Sequence, residues 1–108
     1  MEISFETRQI RGVCANEAEG NRQLGEAVAK SLRSRLADCE AASSVVDLIA
    51  GRPKDLGDAT MSVELEGGGC LIFAANHPDV PDTAGGNVDW ARVHSIRVLK
   101  IEIKNERS

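Results

Sequence analysis

Residues 61–75 constrain the fold of this chain more than any other stretch. Met61, Val63 and Leu65 alternate with Ser62, Glu64 and Glu66, the period of a strand with one buried and one wet face. Gly67–Gly69 supplies a turn, and Cys70–Ala75 is then apolar almost throughout, as suits a central strand covered on both faces. A central strand needs neighbours, and its sheet needs a covering layer. Ile3 and Phe5, alternating with Glu2, Ser4 and Glu6, predict a short first strand, and Val93 to Ile103, rich in Ile and Val, a long last one.

The covering layer is read from helical periodicity. Thr7 can cap a helix carrying Ile10, Val13, Cys14 and Ala18 on one side. Gly20 and Asn21 interrupt it, and a longer helix follows from about Arg22 to Glu40. Leu24, Val28, Leu32 and Leu36 recur along that helix, widened by Ala27 and Cys39, with Arg22, Glu26, Lys30, Arg33 and Arg35 outside. Ser43 and Ser44 precede one more helical turn over Val45–Ala50, closed by Gly51. Arg52–Gly57, with Pro53, reads as a loop, and so does Asn76–Gly86 with Pro78 and Pro81. The expectation is a single domain over residues 1–108 of class α+β. Its order is β-α-α-β-β-β, an antiparallel-rich sheet of about four strands with a helical hairpin on one face.

Composition narrows the function classes. Phe5, Phe73 and Trp90 are the only aromatic residues, so the core is aliphatic and the stacking platforms of a single-strand nucleic-acid binder are scarce. A net charge of −4 opposes the phosphate contacts of a free-standing nucleic-acid protein. Cys14, Cys39 and Cys70 are odd in number, widely spaced and without a CxxC pair. They read as small, mostly buried thiols in a reducing compartment, not as a zinc site or a disulfide framework. No metal or other cofactor is implied. No apolar run approaches the roughly 18 residues of a membrane span, and the first residues lack a signal-peptide layout, so the expected location is the cytoplasm.

Gly85 to Glu102, GGNVDWARVHSIRVLKIE, resembles the C-terminal signature of RelE/ParE-superfamily toxins of the HigB type, some of whose relatives are labelled killer suppression protein. There an acidic-Trp pair, here Asp89–Trp90, leads into a strand, here carrying Val93, Ile96, Val98, Leu99 and Ile101. Leu71–Pro78 is similar to the family's preceding strand and loop, Leu24–Ala42 to its second helix, and Val45–Leu56 to the link into the sheet. The resemblance implies the toxin component of a type II toxin–antitoxin system. Such a toxin is bound by a cognate antitoxin, often a helix-turn-helix protein, and when free cleaves mRNA on the ribosome as a metal-independent endoribonuclease. A homo- or hetero-oligomer is compatible with it.

At the positions that carry family chemistry this chain differs. The usual Tyr-Arg after the glycine turn is Gly69–Cys70, and a thiol cannot replace a guanidinium as a phosphate ligand. The C-terminal Asp-Tyr-His is Ile103, Lys104 and Asn105, and the His of the loop before the first hairpin strand is Lys54. If the chain cleaves RNA, the residues left for the task are Lys54 and Lys104 on phosphate, His94 as base, and Arg52 and Lys100 as RNA-binding cations. His77, in the loop before Pro78, is a second imidazole. The alternative is a catalytically eroded member that acts only by binding an antitoxin-like partner.

Overall fold

The structure, a computed structural model, describes residues 1–48 and 51–103. The alternation at Met61, Val63 and Leu65 becomes strand β3 (Thr60–Leu65), and the apolar run becomes β4 (Gly69–Ala75), with β1 (Glu2–Phe5), β2 (Lys54–Gly57) and β5 (Ser95–Ile103) completing a five-stranded sheet. The strand order is β1-β5-β4-β3-β2, in which β1 runs parallel to β5 and every other neighbour is antiparallel. Helices α1 (Arg8–Ala15), α2 (Glu17–Leu24) and α3 (Glu26–Ala41) separate β1 from the rest, and single 3-10 turns form at Val45–Asp47 and Trp90–Arg92. The chain is thus an α+β protein.

Two expectations about the elements are corrected. The sheet has five strands, not four, because Lys54–Gly57 pairs with β3 instead of forming a loop. The hairpin that joins them turns through Asp58 and Ala59, both at positive φ (52° and 59°), as a two-residue turn of type I′ requires. The helical layer has three helices, not two. Gly20 does not break a helix. It lies buried inside α2, where a Cβ would stand 2.8 Å from the Val13 carbonyl oxygen, so its role is close packing. The real punctuation is Asn16, whose Oδ1 accepts the Glu19 N–H, and Gly25 at φ +83° between α2 and α3.

Ala59 is an L-residue held where glycine is favoured, at a cost that its replacement relieves. Ala59→Gly is expected to raise stability by about 0.5–1 kcal/mol, measured by urea unfolding. A neutral or destabilised variant would show that the turn carries no strain.

One core lies between the helices and one face of the sheet. Val28, Leu32, Leu36 and Cys39 of α3 meet Met61, Val63, Leu65, Leu71, Phe73, Ile96 and Val98. Leu24, expected in the same stripe, is only half-buried, because α2 ends there. β4 is central but covered by helices on one face only, and Ile72, on the other face, is enclosed to 8% exposure without joining the core cluster. No residue of α1 is buried. The Met1 ammonium donates to the carbonyls of Cys39, Glu40 and Ala42 at 2.7–3.1 Å, a cation on the C-terminal end of α3, where the helix dipole favours one.

Candidate functional site

The open face of the sheet is where the expected site residues must meet, and the register fixes how far apart they stand. Lys54 pairs with Ser62, Ser62 with Ile72, and Ile72 with Lys100. The two lysines therefore share one row across the open face, three strand spacings or roughly 14 Å apart at the backbone. The next row is Glu64, Cys70 and Glu102, so Cys70 is flanked by carboxylates on both sides. Arg97 faces Ser4 on β1. The cations are largely spoken for: Lys100 Nζ lies 2.9 Å from Glu102, and Arg97 Nε 2.9 Å from Glu6.

The remaining expected residues do not join that row. Arg52 is exposed in a left-handed turn (φ 48°) just ahead of β2, and it comes near Lys54 only as a chain neighbour. His94 precedes β5, at the end of the strand away from Lys100 and roughly 20 Å along it. Its main-chain N–H donates to His77 Nε2 at 3.3 Å, and the two rings meet edge to face with centroids 4.5 Å apart. This pairing was not legible in the spacing of the two histidines. Lys104 lies outside the described residues. Of the four described members of the set, none stands within hydrogen-bond reach of another. Among the described residues no group of three or more His, Cys, Asp or Glu side chains is placed to hold a metal ion. Burial pushes the thiols of Cys14 and Cys39 up to about 11, which makes both poor nucleophiles at neutral pH.

Gly69 has a structural reason for being glycine. A Cβ on it would lie 2.6 Å from the Glu102 carbonyl oxygen, so β4 and β5 close against each other there only without a side chain. Gly69→Ala is expected to cost about 1–3 kcal/mol, read from thermal or denaturant unfolding. A loss below about 0.5 kcal/mol, the usual scale of an innocuous surface change, would mean that the strands separate cheaply.

The acidic-Trp pair has a structural role too. Trp90 is buried edge to face with Phe73, and its indole N–H donates to Asp55 Oδ2 at 2.9 Å, tying the long loop to edge strand β2. The Trp90 hydrogen bond, with a second from the Gly57 N–H, holds the Asp55 carboxyl below the usual carboxylate value of 3.8. A carboxylate depressed by folding contributes stability above its unfolded pKa and loses it as pH falls through the folded one. Acid titration followed by the single tryptophan should therefore show a change below that usual value that Asp55→Asn removes. An identical acid profile in the variant would dissociate the tie from this carboxylate.

Two of the clefts that border the helices are mainly apolar. One of about 340 Å³ lies between β1, α1 and α3, lined by Ile3, Phe5, Cys14 and Leu36 among others. The other, about 300 Å³, lies between α1, α2 and the last turns of β5, over Ile10, Val13, Leu24, Ile101 and Ile103. The first is also lined by Arg33 and Glu40 and the second by Lys100, and neither lining includes a histidine. Comparison with family models, curated proteins and solved structures finds no match to the chain. Among the described residues no helix is long and apolar enough to cross a membrane.

Proposed function

We propose that the chain is a RelE/ParE-type member of a cytoplasmic toxin–antitoxin pair that works by being bound by an antitoxin-like protein of helix-turn-helix type, without cleaving mRNA. The sequence resemblance, from Leu24 to Glu102, supports the family, and an α+β sheet backed by helices on one face is compatible with it. One observation carries the functional part: among the described residues, the groups left for cleavage do not converge. Lys54 and Lys100 stand three strands apart, and His94 sits at the other end of β5 with its backbone bonded to His77. Absence of a positioned base costs about 10²–10⁴-fold in rate, and the carboxylates of Glu64 and Glu102 oppose a phosphate on the same face.

The test is expression in bacteria with and without the neighbouring gene. The expected result is unimpaired growth when the chain is expressed alone, with a complex that co-purifies when both are present. The second reading, an active mRNA endoribonuclease, is favoured by the common row of Lys54 and Lys100 on an exposed face with Arg52 beside it. Growth arrest with mRNA cleavage, abolished by Lys54→Ala with Lys104→Ala, would replace the first reading with the second.

A further inference from the structure

β5 is paired on both sides for only part of its length. β4 accompanies it to Ile103, but β1 leaves after Phe5 meets Val98, the last link being Glu6 N–H to the Val98 carbonyl. Beyond that point no strand among the described residues lies on the outer side of β5. The backbone there faces outward at a definite residue. The carbonyls of His94 and Val98 turn to β1, so the Phe73–Val98 pair is not hydrogen-bonded across to β4. The ladder shifts at Leu99, and the next pair, Ile72–Lys100, is the hydrogen-bonded one. Ile101 then presents its N–H and C=O to the open side. The far edge of the sheet is guarded by a bulge, Lys54 and the adjoining Pro53, the usual protections against strand addition, and β1 is guarded by its shortness.

We propose that the outer edge of β5 is a self-association surface: two copies pair their β5 strands antiparallel about a two-fold axis at Ile101, continuing one sheet into the other. The occupant is specified by charge. Leu99-Lys100-Ile101-Glu102-Ile103 is an apolar, positive, apolar, negative, apolar series. Turned about Ile101, it sets Lys100 opposite Glu102 of the other copy, twice, with Ile101 against Ile101 between them on the helix side. A one-residue slip would lose both ion pairs and turn the apolar side chains to the wrong face. Such an isologous contact closes at two copies. Ile103, 47% exposed on the helix side of the strand, is carried by the same rotation toward the cleft over Ile10, Val13 and Leu24. The proposal stands apart from the antitoxin reading, since a monomer that still binds an antitoxin sinks this one alone.

The test is sedimentation equilibrium of three proteins across a concentration series. The wild type is expected to dimerise. Lys100→Glu alone and Glu102→Lys alone each set like charges together at both pairs, and each should raise the dimer dissociation constant on the order of tenfold to a hundredfold. Both side chains are exposed, and circular dichroism should confirm an unchanged fold. An equimolar mixture of the two variants restores opposite charges at both pairs and should regain the dimer, a signature that a general change in solubility does not produce. A wild type that stays monomeric at the highest soluble concentration, single variants that dimerise like the wild type, or a mixture no tighter than its components would each overturn the proposal.

Discussion

Phe73→Ala is expected to remove about 3–5 kcal/mol of folding free energy. Phe73 is fully enclosed at the centre of β4, the middle strand of the sheet, and meets the edge of Trp90 with ring centroids 6.5 Å apart. Truncation leaves a ring-sized void bounded by a rigid sheet and by a tryptophan already fixed through Asp55, so the surroundings cannot collapse into it. With so few aromatic side chains in the chain, no neighbour of comparable size can refill the space. The loss is a large share of the roughly 5–15 kcal/mol that holds a domain of this kind folded. Denaturant unfolding measures it directly, and a loss under about 1 kcal/mol would mean that the core repacks.

Leu32→Ala should cost about 2–5 kcal/mol. Leu32 is 1% exposed, in the middle of α3, the only one of the three helices with a run of buried residues. The helical layer therefore rests on this stripe. α1 has no buried residue and α2 only Gly20, so neither can compensate when α3 loosens. The same unfolding measurement with Leu24→Ala, at a half-buried position, should give a clearly smaller loss. Equal losses at the two sites would show that α2 shares the anchoring.

How much of this was legible depended on whether a residue spoke for its own environment. The alternation in β3, the apolar run in β4 and the stripe of Val28, Leu32 and Leu36 reported burial directly, because a side chain's polarity is set by the face it occupies. β2 was hidden because Lys54–Gly57 is an exposed edge with a bulge, held by pairing with β3 instead of by burial. Gly20 misled because glycine marks a close approach as readily as a break, and only the position of Ala29 and Val13 around it separates the two. The candidate site was legible in residue type and not in assembly. Alternation put Ser62 and Glu64 on the open face, as the register does, but Glu66 lies past the end of β3, its N–H donating to Ser31 Oγ of α3. The distance from Lys54 to Lys100, though, comes from the number of strands between them, and strand order is a long-range property. The shift at Leu99, which decides what the end of β5 offers to a partner, leaves no mark in the local pattern.

The parallel pairing of β1 with β5 has a consequence for the chain during its synthesis. The Ser4 hydroxyl meets the carbonyl of Ile96, 92 residues further on, and β5 lies between β1 and the rest of the sheet. At about 5–20 residues per second, β1 waits on the order of 5–20 s for the strand it joins. In that interval α3 and the β3–β4 hairpin can form, but the first strand and the helix after it have no sheet edge of their own to dock on. A message truncated ahead of Ser95 would leave β1 permanently without its neighbour. Among the described strands, β1 is thus the one whose docking waits longest on residues made after it.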